Sequence, residues 1–159
     1  MKSVKDARWL DEREERAWRA LQFMGMRLDA RLASELAAVS DLSHSDYTVL
    51  VALTDRPDGS LRLFELSTTL GWEKSRVSHQ IARMVDRGLV AKGKCDDDRR
   101  GAFVVATDRG LAAIEEAAPH HVETVRRLVV DPLTPAELDA LGVAAQKILD
   151  AIEGDDASR

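Results

Sequence analysis

Over the first forty residues the hydrophobic positions Ala17, Leu21, Met24, Leu28, Leu32, Leu36 and Val39 recur every three or four places. That is the period of one helix face, and only Gly25, with no proline, stands in its way. The pattern predicts one long amphipathic helix that carries Trp9 and Trp18 as well. Its other side mixes both signs of charge, from Asp11 to Arg16 and again at Arg27, Asp29 and Arg31, as a solvated face does. The apolar stripe is longer than a small domain can cover, so part of it is expected to pack on a second copy of the chain.

The periodicity breaks at residues 41–46, where Ser43 and Asp46 have the spacing of a capping box, each side chain able to satisfy a free backbone donor at a helix start. A second helix follows with Tyr47, Leu50, Val51 and Leu53, and the turn residues Arg56, Pro57, Asp58 and Gly59 end it. Residues 60–62 read as a short strand. Leu63, Leu66 and Leu70 then give one apolar side to a helix of about two turns, closed by Gly71 in the manner of a left-handed cap. In the next helix Val77, Ile81 and Met84 fall at i, i+4 and i+7 and face inward. Lys74, Ser75, Arg76, Ser78, His79 and Arg83 are left to point outward.

A short helix, a glycine turn and a second helix with a polar leading face make a helix-turn-helix, whose second helix lies in the DNA major groove. Gly88 ends that helix. Residues 89–91 and 102–106 read as two strands around the polar tip 96–101, which makes the unit a winged helix. Thr107 can cap a further helix through Leu111 and Ile114, with a kink expected at Pro119 before Val122, Val125 and Leu128. Asp131 and Pro132 end it. Thr134, Pro135 and Glu137 are a helix-start signal, and Leu138, Leu141, Ala145, Ile148, Leu149 and Ile152 form the stripe of the last helix. From Gly154 onward the polar tail reads as disordered.

Charge sharpens this picture. From Glu73 to Gly101 there are eight basic side chains (Lys74, Arg76, Arg83, Arg87, Lys92, Lys94, Arg99 and Arg100) against five acidic ones, a local charge of +3 on a chain whose formal net charge is −5. Attraction to phosphate depends on the charge that faces the duplex, not on the total, so double-stranded DNA is the first partner to consider. With 159 residues and 45% hydrophobic composition the chain is long enough to bury a core. It has no run of about 18 apolar residues and no basic-then-apolar start, so neither a membrane span nor a signal peptide is expected, and the cytoplasm is the expected location. A single cysteine, Cys95, cannot form an internal disulfide.

The order of elements and the residues themselves resemble the MarR family of bacterial transcription regulators over nearly the whole chain. The matching pieces are Leu50-Val51-Ala52-Leu53, the stretch from Leu66 to Leu70, Ser75-Arg76-Val77-Ser78-His79, Arg87-Gly88-Leu89-Val90, Asp98-Arg99-Arg100-Gly101 and Val105-Ala106-Thr107-Asp108-Arg109-Gly110. The resemblance implies a homodimer of winged helices, held by the first and last helices, that binds a pseudo-palindromic operator and is released by a small-molecule effector or by oxidation. By that resemblance Arg100 is the wing-tip arginine entering the minor groove, Asp98 braces it, and Lys74, Ser75, Arg76, Ser78 and His79 face the major groove. The chain departs from the family at three points. Phe64 and Glu73 stand where a helix start more usually has Ser, Thr or Asp, and Ala106 is smaller than the leucine common before this threonine, which implies looser packing under the wing.

The fold expected is therefore mainly α: a winged helix-turn-helix with long N- and C-terminal dimerisation helices and a small two- or three-stranded wing. Its divisions are 1–40 and 108–153 for dimerisation, 41–107 for DNA binding and 154–159 for the tail. The DNA-binding set is Lys74, Ser75, Arg76, Ser78, His79, Arg83, Arg99 and Arg100. Trp18, Phe23 and Tyr47 are candidates for a ligand pocket, although core packing explains aromatics as well. Adjacent His120 and His121 point about 100° apart on a helix and chelate poorly, so no metal is expected. Cys95 sits near Lys92 and Lys94, but a structural spacer at the wing base is its plainer reading than a redox sensor. No phosphate-binding glycine loop, catalytic triad or metal-ligand spacing is present, so neither an enzyme nor a cofactor is expected. The competing reading is a winged helix that binds another protein, which would not require so many hydrogen-bond donors on the recognition helix and wing tip.

Overall fold

The computed structural model describes residues 7–93, 103–156 and 158. The helices and strands run in the order α1 (Glu12–Val39), α2 (His44–Thr54), β1 (Ser60–Arg62), α3 (Leu63–Leu70), α4 (Lys74–Asp86), β2 (Val90–Gly93), β3 (Phe103–Ala106), α5 (Asp108–Val125), a π-helical turn (Arg126–Val130) and α6 (Pro135–Asp156). This is the expected mainly α winged helix, with a three-stranded wing sheet.

The long first helix begins later than the expected span of residues 1–40. Asp11 accepts hydrogen bonds from the backbone of Arg13 and Glu14, both at 2.8 Å, while Glu14 accepts from Asp11 N–H at 2.9 Å. This capping box starts the helix at Glu12, so Trp9 lies ahead of α1 instead of on it. At α2 the expected box is present: Ser43 accepts from Asp46 N–H at 3.1 Å, and Asp46 accepts from Ser43 N–H at 2.8 Å. The α3 start is different from the sequence expectation, because Arg62 is its N-cap residue and Phe64 lies inside the first turn. Glu65 accepts from Arg62 N–H at 2.7 Å and so relieves one of the free donors.

The sheet has order β1-β3-β2, antiparallel throughout, with Leu61 opposite Val104 and Ala91 opposite Val105. Leu61, Val90 and Val104 turn into a core shared with Val49, Leu50 and Leu53 of α2, Leu66 of α3, and Val77, Ile81 and Met84 of α4. Ala106 packs partly buried against that core.

α5 continues unbroken through Pro119, and the irregular winding expected there falls downstream, at Arg126–Val130. One proline removes a single N–H from the ladder. Ile114, Ala117 and Thr124, buried on either side of it, keep the helix seated along α1. Glu35 of α1 ties down the end of this segment, paired with Arg31 at 2.8 Å and Arg127 at 3.2 Å.

α6 starts as its sequence signal predicts, with Thr134 and Glu137 bonded to one another at 2.8 Å and to each other's backbone, and it runs past Gly154 to Asp156. Apart from half-buried Leu138, every described side chain of α6 is exposed. Among the described residues its stripe, including Leu141, Ile148, Leu149 and Ile152, stays at least a third exposed.

Candidate nucleic-acid interface

The turn between α3 and α4 is fixed from both sides. Gly71 adopts a left-handed conformation, φ 60°, that a side chain would strain. Just beyond it, Trp72 N–H donates to the Ser67 carbonyl at 3.1 Å, and the Ser67 hydroxyl donates to the Trp72 carbonyl at 2.6 Å. Trp72 also packs on the core that contains Val77, so the two residues hold the positions of a hydrophobic staple across the start of α4.

With Val77, Ile81 and Met84 sealed in the core, the rotation of α4 is set. Lys74, Ser75, Arg76, Ser78, His79 and Arg83 are then all exposed on its outer side, as their spacing predicts. The Arg76 guanidinium carbon lies 4.0 Å from the centroid of the Trp72 ring. Arg83 donates to the side chain of Gln80.

The amino terminus of α4 is unlike those of the other α-helices. Its N-cap residue, Glu73, makes no side-chain capping bond, and its first turn holds no acid. The other five each place at least one acidic residue there, Glu12, Glu14 and Glu15 in α1, then Asp46, Glu65, Asp108 and Glu137 in turn. Lys74 and Arg76 put positive charge at the positive end of the helix dipole, which costs each of them roughly 0.3–1 kcal/mol. An anion at this end reverses the sign of that term, and free backbone N–H groups are already aimed at it.

Behind α4 lies a polar hub that the sequence does not announce. Asp46, 2% exposed, accepts from Gln80 at 2.7 Å, from Arg87 at 2.6 Å and from its own cap. Arg87 donates further to the Asp41 carbonyl at 2.6 Å. Burial by itself raises the Asp46 carboxyl, but the hydrogen bonds from Ser43 and Arg87 and the Arg87 charge outweigh it and hold the group below the ordinary aspartate value. Arg87, one of the eight cations in the basic stretch, therefore serves to anchor α4 to α2. A carboxylate three places after a capping serine looked like a cap alone, and its second task depends on Gln80 and Arg87, 34 and 41 residues away.

A second clasp joins the end of α4 to α5. The Thr107 hydroxyl donates to the Gly88 carbonyl at 2.6 Å and accepts from Gly110 N–H at 3.1 Å, while Thr107 N–H donates to the Leu89 carbonyl at 3.1 Å. A Cβ on Gly110 would stand 2.0 Å from the Leu89 carbonyl oxygen, so no other residue fits there without displacing the backbone.

Other candidate residues fall elsewhere. Arg99, Arg100, Asp98 and Cys95 lie outside the described residues. Trp18, Phe23 and Tyr47 do not meet within one chain. Trp18 and Phe23 are exposed on the early part of α1, and Tyr47 is buried in the core cluster that α1 reaches through Leu36. Eighteen helical positions separate Trp18 from Leu36, about 27 Å at the helical rise. Tyr47 instead stacks on His121, ring centres 4.5 Å apart. Burial raises the Tyr47 hydroxyl, and it lowers His121, with the nearby His44 adding to the fall. The Nδ1 atoms of His44 and His121 are both buried without a hydrogen-bond partner. A cavity of about 180 Å³ opens next to them between α1 and α5, lined in part by Leu32, Leu36, His120, His121, Thr124 and Arg127. Among the described residues no cluster of metal-ligating side chains is present, and no helix is long and apolar enough to cross a membrane.

A model of the MarR family matches residues 40–101. No curated protein sequence matches significantly. Among solved structures, the chain is similar to AbsC, a MarR family transcriptional regulator from Streptomyces coelicolor, with 38% identity over 93% of this chain and 99% of that one and a TM-score of 0.86. A second MarR family transcriptional regulator of that organism, solved in complex with DNA, is 33% identical over 91% and 94% of the two chains, with a TM-score of 0.85. A mutant MarR from E. coli complexed with operator DNA shares the fold at 22% identity, covering 88% and 99%, with a TM-score of 0.76.

Proposed function

This chain belongs to the MarR family of transcription regulators, and on that premise we propose that it acts as a homodimer on a pseudo-palindromic operator, as a repressor whose hold a small molecule relaxes. The observation that carries the DNA reading is the outer side of α4: six hydrogen-bonding side chains held on a helix whose rotation is set by Val77, Ile81 and Met84, at an end left open to an anion. Arginine can give paired hydrogen bonds to guanine O6 and N7, and serines suit phosphates or either base type. Lys74, Ser75, Arg76, Ser78, His79 and Arg83 form the major-groove set. By the family resemblance, Arg100 of the wing takes the adjoining minor groove with Asp98 as its brace, and Arg99 belongs to the same DNA-binding set.

The dimer reading rests on α1 and α6. A 22-residue helix with an uncovered apolar stripe is not stable on its own in water, so a second copy supplies the cover. The apolar cleft between α1 and the start of α6, lined by Met24, Leu28, Leu128, Val129, Leu133 and Leu141, belongs to the same uncovered surface. For the effector, the cavity beside His121 is the better placed candidate, because it lies between α1 and α5 and His121 stacks on Tyr47 of the winged helix. A ligand there acts only if it binds the DNA-competent and the DNA-incompetent dimers unequally.

Selection of duplexes from a random pool, at low and at moderate salt, tests the whole reading. Palindromic half-sites about one helical turn apart, with affinity falling steeply as salt rises, are expected. A flat salt response with no recovered consensus would overturn it in favour of a protein partner.

A further inference from the structure

Resting on the DNA-binding reading, the geometry points to a further specificity residue that itself touches no base: Trp72, whose indole lays out the Arg76 side chain for the major groove. Arg76 stands in the first turn of α4, where the helix dipole and the neighbouring Lys74 both work against a second cation. An arginine on an exposed helix start is otherwise free to swing between many rotamers, and that freedom is lost when it binds. Here the guanidinium lies 4.0 Å from the Trp72 ring centre, within the range where the ring's negative face attracts it.

The platform is itself rigid. Ser67 bonds both the N–H and the carbonyl of Trp72, at 3.1 and 2.6 Å, and Gly71 sets the turn before it. The ring packs against the core that seats α4. The backbone of Trp72 is therefore tied to α3, and its indole is held by its packing on the core. A guanidinium held over a ring by its face keeps the N–H donors on its edge for a base. Stacking uses one face of the plane and base reading uses its rim, so the two do not compete.

The consequence is a division of labour between two residues four places apart. Arg76 supplies the hydrogen bonds, and Trp72 removes the ordering cost that would otherwise be charged against discrimination. Loss of the ring leaves the charge in place, so overall attraction to phosphate is kept and only base preference suffers.

The test uses the full-length protein and a duplex taken from the selection above, together with a set in which each half-site base pair is changed in turn. Trp72→Leu, Trp72→Phe, Arg76→Ala and the double variant Trp72→Leu/Arg76→Ala are compared for the ratio of affinities and for the salt slope, with thermal melting as a control for folding. Trp72→Leu is expected to cut discrimination by about 3- to 10-fold at the base pair where Arg76→Ala cuts it, with the salt slope unchanged. Trp72→Phe, which keeps an aromatic face, should recover part of it. In the Arg76→Ala background the tryptophan change should cost no further discrimination, the signature of one residue acting through the other. Equal losses at every base pair, or the same loss with and without Arg76, would mean that Trp72 only supports the fold and would overturn the proposal. If the wild-type protein recovers no consensus at all, the DNA reading fails with it; a consensus that Trp72→Leu leaves intact defeats the positioning role alone.

Discussion

α4 and α6 are both amphipathic and both largely exposed, yet they are finished to different degrees. α4 buries Val77, Ile81 and Met84 and shows the solvent its polar side. α6 shows the solvent its apolar side, Leu141, Ile148, Leu149 and Ile152. The first is a complete surface, stable in water and held ready for a charged polymer. The second leaves apolar side chains open to water, and in the proposed dimer a second copy covers them. In the proposed reading, function at α4 depends on fine geometry inherited from the core, whereas function at α6 depends on the apolar area its stripe can bury against a second copy.

The difference is broken most strongly by charging the stripe. Leu149→Asp combined with Ile152→Asp should convert a dimer to a monomer in light scattering and lower operator affinity by at least about 100-fold, since two linked half-sites become two independent ones. The winged helix should keep its own melting transition. A variant that stays dimeric and binds as before would show that α6 is not the pairing surface.

A smaller effect is expected at the hub behind α4. Asp46→Ala leaves Gln80, Arg87 and the Ser43 N–H without their acceptor, at a cost of about 2–3 kcal/mol of folding stability measured by denaturant. The same carboxylate gives a pH signature. Its pKa is lowered on folding, so its contribution is present in full above the ordinary aspartate value and is lost as acid carries the pH through the lower folded value. In Asp46→Ala that part of the acid transition should disappear. At the surface of α4, by contrast, Arg76→Ala should leave melting unchanged and relax preference at one base pair by about 1–3 kcal/mol.

These two regions were also unequally legible. The outward set on α4 could be read from the sequence because helical period alone fixes which side chains share a face, and Val77, Ile81 and Met84 left little choice of rotation. The turn residues Gly71 and Gly88 were readable for the same local reason, and both carry a positive φ. What escaped were tasks set by long-range neighbours. Arg87 counts as one more cation until the fold brings Asp46 beneath it, and Gln80 looks like surface until it proves 3% exposed. The pattern of the first forty residues put Trp9 on α1, but the Asp11 and Glu14 box, itself a local signal, starts the helix only at Glu12. The aromatics Trp18, Phe23 and Tyr47 were grouped by type, and type says nothing of the length of helix between them.

Between the finished and the unfinished regions lies the seam where His121 of α5 stacks on Tyr47 of α2. Among the described residues, the titratable and charged groups at this seam are Tyr47 and His44 from α2, His120 and Glu123 beside His121 on α5, and Glu35 and Arg127 of the adjoining cavity. Burial and the proximity of His44 lower the pKa of His121, so the folded state holds it neutral. The unfolded chain takes up the proton more readily, and stability therefore declines as the pH falls from the ordinary histidine value of 6.5 toward the lower folded one. His121→Phe keeps a ring against Tyr47 and removes the titration. Its melting temperature should fall less than that of the wild type as the pH is lowered below about 6.5. Equal slopes for the two proteins would place the acid sensitivity elsewhere and leave the seam a passive contact between α2 and α5.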